Sequence, residues 1–221
     1  MNLRSKKEFL DHLRSANFEA EAIIDVGAAN GTVGLYETFP SAHYVLIDIL
    51  DKFNDGLTDI VKSLASCEHL IAAVGSSPGN VRFYYDPKED HKVTFADFQP
   101  DGWVESTIKR ITIDDIVFTN PKLQKANNII IKIDVDGPEL DVLAGCSESF
   151  NKNCVFIIEA PLLDRLHGRF TEISAFMHLN GFELYDLLEP VFRPSDEALW
   201  QVDAVYVPTS SPLRTNHSYA I

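Results

Sequence analysis

The stretch that decides the fold is Ile23-Ile24-Asp25-Val26-Gly27-Ala28-Ala29-Asn30-Gly31, in which an apolar strand runs into a turn with two glycines four residues apart. Dinucleotide-binding folds use the spacing G-x-G-x-x-G, where the glycines bring bare backbone up to a pyrophosphate. Here the spacing is G-x-x-x-G, and Asp25 near the end of the strand would repel a pyrophosphate and attract an ammonium group. The stretch favours a positively charged nucleoside ligand, and an ordinary strand-to-helix turn is the alternative.

S-adenosylmethionine fits this ligand description because it carries an ammonium and a sulfonium group and no phosphate. Gly27 allows a tight turn, and Gly31 allows the backbone to approach the ligand at the start of a helix. A second apolar strand, residues 44–48, also ends in an acid. In a β-α-β unit Asp48 would lie beside the first turn and accept hydrogen bonds from both ribose hydroxyls. A solvated strand end is the alternative for Asp48.

A third apolar strand, residues 129–134, leads into the run Lys132-Ile133-Asp134-Val135-Asp136-Gly137-Pro138-Glu139-Leu140-Asp141-Val142-Leu143-Ala144-Gly145. This run resembles the signature K-I-D-x-E-G-x-E-x-x-V-L-x-G of the FkbM methyltransferase family. Asp136 stands where the family usually has Glu, which keeps the charge and shortens the side chain by one methylene. The resemblance extends over about residues 20–208, and residues 134–145 are its most specific part.

The resemblance implies an α/β fold of the class I methyltransferase type: a Rossmann-like three-layer sandwich with a mostly parallel seven-stranded sheet and an antiparallel last strand. It also implies an S-adenosylmethionine-dependent O-methyltransferase that acts on a hydroxyl of a sugar, glycan or glycosylated metabolite. Two other interpretations remain open. An NAD-dependent reductase or epimerase is disfavoured by Asp25 and by the glycine spacing, and a domain that binds the cofactor or a glycan without turnover is the other.

Cofactor-binding residues are expected at the carboxyl ends of the strands, where ligands bind in open α/β sheets. They are Asp25, Gly27, Ala28, Asn30 and Gly31 for the methionyl end, Asp48 and Ile49 for the ribose, and Ala73 and Val74 for the adenine.

Catalysis of methyl transfer requires a base near the methyl group, because the acceptor hydroxyl is only weakly acidic. Asp134, Asp136 and Glu159 follow neighbouring strands and should converge in one crevice. Their mutual repulsion would raise at least one pKa or else attract a divalent cation. We favour Asp134 and Glu159 as base and acceptor-positioning groups over a magnesium site. For Asp136 the alternative is stabilisation of a helix dipole.

Two histidines are further candidates for the base. His91 lies in a long loop, and His167 follows the fifth strand. A histidine titrates near neutral pH and so suits proton transfer. A surface or structural role is the stronger interpretation for each.

Composition favours one methyltransferase domain over residues 1–221. The 221 residues are 45% hydrophobic, enough for one substantial core. A net charge of −14 opposes nucleic-acid binding, which needs clustered Lys and Arg. The three cysteines show no paired spacing and are expected to be reduced, and no segment is apolar enough to span a membrane. We therefore expect a cytoplasmic enzyme with a small-molecule or glycan acceptor, whose oligomeric state the sequence leaves open.

Seven strands are predicted, near residues 22–26, 44–48, 69–74, 129–134, 155–159, 182–186 and 203–207, with helices between most of them. Residues 81–85 and 107–113 could pair as an added hairpin. They would enclose a substrate loop over about residues 86–106, which carries aromatic and polar side chains that suit a sugar. A solvated insertion held by its aromatic side chains is the alternative. Residues 209–221 are expected to be a loose tail.

Overall fold

The computed structural model of the protein describes residues 3–89, 92–149, 153–163 and 170–215. The helices are α1 (Lys6–Ser15), α2 (Val33–Thr38), α3 (Asn54–Ser63), α4 (Ile113–Thr119), α5 (Pro121–Lys125), α6 (Glu139–Ala144) and α7 (Phe170–Leu179). The strands are β1 (Ala22–Val26), β2 (His43–Asp48), β3 (Cys67–Ile71), β4 (Ala73–Val74), β5 (Gly79–Tyr85), β6 (Val93–Thr94), β7 (Val104–Ile111), β8 (Asn128–Ile133), β9 (Asn153–Pro161), β10 (Phe182–Phe192) and β11 (Leu199–Pro208).

The central sheet has seven strands in the order β10-β11-β9-β8-β1-β2-β3. Strand β1 lies between β2 and β8 and is parallel to both. Strand β11 runs antiparallel to its neighbours β9 and β10. This topology confirms the class I methyltransferase fold with its antiparallel last strand.

Both faces of the central sheet are buried, as the near-continuous apolar runs of its strands predict. Because successive side chains on a strand point to opposite faces, Ile23 and Ile24 enter different cores. Ile23 packs in a cluster with buried residues of α1, α2 and α3. Ile24 packs in a cluster with buried residues of α4, α6 and α7. Helices on each face complete the three layers.

The third predicted strand, residues 69–74, is divided between two sheets. Strand β3 ends at Ile71, and the Ala72 N–H donates to the Asp48 carbonyl at 2.9 Å. Strand β4 then pairs with Arg110 and Ile111 of β7 in a second sheet of order β4-β7-β5-β6. The sequence shows one apolar run here although β3 is only partly buried and β4 is buried, and the apolar pattern does not reveal the change of partner.

The added hairpin is confirmed, with different bounds. Strand β5 pairs antiparallel with β7 over seven residue pairs. Strand β7 ends at Ile111 because Thr112 caps α4: the Thr112 hydroxyl accepts the Asp115 N–H at 2.9 Å, and the Asp115 carboxylate accepts the Thr112 N–H. The loop between β5 and β7 also contains a short strand, β6, which pairs with the end of β5.

Two further segments differ from the sequence-based expectation. Helix α2 starts at Val33, two residues after the predicted start. In the segment expected to be a tail, residues 212–214 form a 3₁₀ turn capped by Ser211, and Leu213 packs against the α1 side of the core. Residues 216–221 lie outside the described part of the chain. Of the helices in that part, none has the length and apolar character needed to cross a bilayer.

At Gly27 the backbone of the chain after β1 lies very close to the backbone after β8. The φ of Gly27 is +76°, and a Cβ placed on it would lie 1.6 Å from the Asp134 carbonyl oxygen. The ends of β1 and β8 therefore approach each other only because residue 27 has no side chain.

We expect Gly27→Ala to destabilise the fold far more than Gly102→Ala. Gly102 has a similar φ of +78° and open space around it, so alanine there costs only the backbone term of about 1–2 kcal/mol. The clash at Gly27 should add about 1–3 kcal/mol, the usual cost of forcing extra volume into a packed site. Urea unfolding of both variants measures the difference, and equal losses would contradict the close approach.

Candidate active site

A cavity of about 280 Å³ opens at the carboxyl ends of the central strands. Seven residues predicted from the sequence line it: Gly27, Asp48, Ile49, Ala73, Val74, Asp134 and Asp136. They come from the ends of β1, β2 and β8 and from β4, which the sheet brings to one edge. The cavity thus lies where ligands bind in open α/β sheets.

Asp48 lines the cavity at the end of β2. Its Oδ2 accepts the Ala29 N–H at 2.8 Å, and its Oδ1 accepts the Leu50 N–H at 2.8 Å. The residue is 6% exposed, and burial raises the pKa of its carboxyl group. The carboxylate also accepts a backbone hydrogen bond from Ile49. A carboxylate has about four lone-pair positions, so one remains for a ligand.

Asp25 has a different environment from the one expected. It is fully buried and does not line the cavity. Its Oδ2 accepts the Thr32 hydroxyl at 2.8 Å, and its Oδ1 lies 3.1 Å from Lys132 Nζ. Asp25 is therefore buried below the glycine turn. Its negative charge is neutralised by Lys132.

Three other residues of the glycine turn are also absent from the cavity lining. Ala28 is buried and its N–H donates to the Ile47 carbonyl, while Asn30 is exposed. A Cβ on Gly31 would meet Ile60 and the Tyr36 hydroxyl, so this glycine is required by packing against the helices. The Gly27 and Ala29 backbone is the part of the turn that reaches the cavity.

Lys132 is the main residue that the sequence reasoning missed. It is 4% exposed, and its Nζ lies 3.1 Å from both Asp25 Oδ1 and Asp134 Oδ2. Burial alone would lower its pKa, but the two carboxylates outweigh burial and raise it. A lysine within the apolar strand Asn128–Ile133 was the available signal, because a buried charge needs a partner.

Asp134 and Glu159 are brought together, as predicted. Their carboxyl groups are hydrogen-bonded to each other, and Gln201 Nε2 donates to Glu159. Burial opposes ionisation of Asp134, but Lys132 outweighs it and lowers the pKa of that carboxyl. Burial, with the negative charges of Asp134 and other acids, raises the pKa of Glu159 to about 9. At neutral pH Glu159 is therefore the proton donor and Asp134 the acceptor.

A turn at Asp136 and Gly137 closes the acidic side of the cavity. Asp136 has φ +54°, a region that Asp adopts more readily than most residues. This backbone gives a physical reason for the aspartate at a position where the family signature has Glu. Glu139 fixes the turn, since its Oε1 accepts the Gly137 N–H at 2.8 Å. Burial, reinforced by nearby acids, raises the pKa of Glu139 to about 7.

Other candidates are placed as follows. Glu159 does not line the cavity itself and acts on it through Asp134. His91 and His167 lie outside the described residues.

A metal site was the alternative to base catalysis. Within residues 3–89, 92–149, 153–163 and 170–215, no group of three or more His, Cys, Asp or Glu side chains is arranged to hold a metal ion. No disulfide bond joins Cys67, Cys146 and Cys154.

Comparison with known proteins agrees with the fold. A protein from Clostridium thermocellum assigned as an rRNA methylase has 10% identity, with 94% of this chain and 99% of that chain covered and a TM-score of 0.52. A protein from Pyrococcus horikoshii assigned as an RNA methyltransferase has 12% identity, with 93% and 82% covered and a TM-score of 0.50. At such identities these likenesses show the fold alone, that of class I Rossmann-like methyltransferases.

The family follows from the sequence. Residues 25–184 match the family model described as the methyltransferase FkbM domain. The match covers more than half of the chain, so the protein belongs to the FkbM methyltransferase family. No curated protein sequence matches the chain.

The raised pKa of Glu159 predicts a pH-dependent effect of Glu159→Gln. Between its ordinary pKa of 4.5 and about 9, the folded protein holds a proton that the unfolded chain releases, so stability falls as pH rises through this window. Glutamine keeps the shape and cannot ionise. We expect the variant to be more stable than wild type at pH 8, by on the order of 2 kcal/mol.

Denaturant unfolding at pH 4.5 and pH 8 measures this effect, and the gain should vanish at the lower pH. Glu105→Gln, at an exposed position on β7, is the matched control and should change little at either pH. A Glu159→Gln variant that is less stable than wild type at both pH values would contradict a neutral Glu159.

Proposed function

We propose that the protein transfers the methyl group of S-adenosylmethionine to a hydroxyl oxygen of a sugar, glycan or glycosylated metabolite. The observation that carries this proposal is the cavity in which Asp48 and Asp134 lie at the ends of β2 and β8, the two parallel strands that flank β1 and its glycine turn. Family membership supports methyl transfer, and the arrangement of side chains supports the cofactor and the oxygen acceptor.

The cofactor fits the chemistry of the lining. Asp48 retains a lone-pair position for a ribose hydroxyl, and Ile49 lies beside it. Ala73 and Val74 are small apolar residues that leave room for a flat base. The Gly27 backbone faces the methionyl end. Asp25, Ala28, Asn30 and Gly31 support this end indirectly by shaping the turn. No positive side chain lines the cavity among the described residues, which opposes a pyrophosphate and so NAD.

When bound, S-adenosylmethionine supplies a methyl group already activated by its sulfonium charge. Asp134 accepts a hydrogen bond from the acceptor hydroxyl and takes its proton as the oxygen is methylated. Lys132 keeps Asp134 ionised for this role, and Glu159 orients it with a donated hydrogen bond. Asp136, at the mouth of the cavity, is a second hydrogen-bond acceptor for the acceptor molecule.

The class of acceptor is inferred from charge. The acids around the cavity can accept hydrogen bonds from sugar hydroxyls, whereas a net charge of −14 opposes a phosphate backbone. The RNA-linked assignments of the two structural neighbours belong to those proteins, since fold does not determine the substrate. The lack of paired spacing among the three cysteines of the sequence supports the cytoplasm as the compartment.

Binding of the cofactor can be measured by calorimetry. S-adenosylhomocysteine should bind the wild type, and NAD should not. Asp48→Asn should weaken binding by about 1.5–3 kcal/mol, because the ribose loses charge-assisted hydrogen bonds. Asp51→Asn, at an exposed position three residues later, is the control and should bind like wild type. Binding of NAD without the nucleoside would refute the proposed cofactor.

Asp134→Asn tests the proposed base. Turnover with a hydroxyl acceptor found in a screen of sugars and glycosides should fall by roughly 10²–10⁴, because asparagine keeps the shape but cannot take the proton. Asp141→Asn, on α6 outside the cavity lining, should retain activity. The assay is repeated with chelator, and loss of wild-type activity that magnesium restores would favour the metal alternative instead.

A further inference from the structure

Two residues of the insertion between β5 and β7 form part of the cavity wall. Val93 and Phe95 line the cavity together with Ile49, Phe53 and Ala73 from the ends of the central strands. From sequence alone this insertion was expected to hold the acceptor. Its position over residues proposed for the nucleoside indicates a different role for this part of it.

Strand pairing fixes the position of Val93, and Phe95 follows the end of β6 directly. Strand β6 pairs with β5 through Tyr84 opposite Thr94 and Tyr85 opposite Val93. Val93 packs in the same apolar cluster as Leu50 and Phe53, which lie beyond the end of β2. The insertion is thus tied to the nucleoside side of the cavity by both backbone pairing and apolar packing.

The ring of Phe95 packs against another aromatic ring, and part of its surface is exposed. Its ring centroid lies 6.4 Å from that of Phe83 at an interplanar angle of 45°, and Phe83 is 3% exposed. Phe95 itself is 38% exposed and borders the cavity. An aromatic ring supported from behind and open toward a cavity suits contact with another flat ring.

The two acids that follow β8 are separated from the aromatic residues of the lining, and Asp48 comes from β2 on the aromatic side. Asp134 and Asp136 come from the end of β8, whereas Phe53, Ala73 and Phe95 come from segments after β2 and β3 or from the insertion. In the sheet β8 and β3 are separated by β1 and β2. A ligand with one flat apolar end and one charged end would therefore place its flat end under Phe95.

We propose that Phe95, with Val93, covers the adenine ring of the cofactor, so that the insertion is part of the cofactor site. This inference rests on the proposed function, since it takes the nucleoside as the ligand. Phe98 offers a matched comparison because it belongs to the same insertion, is 72% exposed and does not line the cavity.

The test is calorimetric binding of S-adenosylhomocysteine and of 5′-methylthioadenosine, which lacks the amino-acid end. Phe95→Ala should lower the affinity for both nucleosides by a similar factor of roughly 5–20, because both contain the adenine base. Phe98→Ala should bind both like wild type, and Phe95→Tyr should restore most of the affinity. Phe95→Leu, which keeps apolar volume, is measured as well so that a folding defect in the alanine variant does not decide the result.

The outcomes separate the two proposals. A wild type that binds neither nucleoside overturns the proposed function itself. A wild type that binds both, with Phe95→Ala and Phe95→Leu unchanged in affinity, overturns only the role of Phe95. Weaker binding of S-adenosylhomocysteine alone also overturns it, since Phe95 would then contact the amino-acid end.

Discussion

The buried ammonium group of Lys132 is the constraint on which the site depends. Lys132 and Asp25 lie opposite each other on β8 and β1, and the lysine also pairs with Asp134 at the mouth of the cavity. Burying an ammonium group costs several kcal/mol unless partners compensate it. Loss of Lys132 would leave two carboxylates without their cation, whereas loss of either acid would leave the lysine with one partner.

The same trio distributes protons among the acids at the strand ends. Lys132 holds Asp134 ionised, and the resulting negative charge, with burial, keeps Glu159 protonated. Lys6 of α1 reaches this region too, with its Nζ 2.8 Å from Asp203 Oδ2. Acids that would repel one another if all were charged can therefore lie side by side. The ionised carboxylate of Asp134 thus lies beside the neutral carboxyl group of Glu159.

The second sheet explains how the cavity at the strand ends is enclosed. Strand β4 leaves the direction of β3 after Ala72 and pairs with β7, which carries the β5 hairpin and its insertion. The insertion is thereby attached to the end of the central sheet that carries the cavity. Close packing of Gly75 against Gly145, where a Cβ on Gly145 would lie 2.3 Å from the Gly75 carbonyl oxygen, fixes this attachment to the helix layer.

The sequence by itself determined the class of fold and much of the cavity edge. Apolar runs ending in acids, such as residues 44–48, reveal buried parallel strands and their carboxyl ends, because strand periodicity and the position of the acid are both local properties. The glycine turn was found in the same way, and Gly27 lies at the closest approach of two strands. Asp48 and Asp134 needed no tertiary information to be chosen.

Only the tertiary structure decided which side chains line the cavity. Asp25 and Asp48 look alike in sequence, yet Asp25 is buried against Lys132 while Asp48 borders the cavity. The role of Phe95 and the neutral state of Glu159 likewise depend on neighbours distant in the chain. Burial and charge pairing are set by contacts between strands, and a local pattern of residues does not contain them.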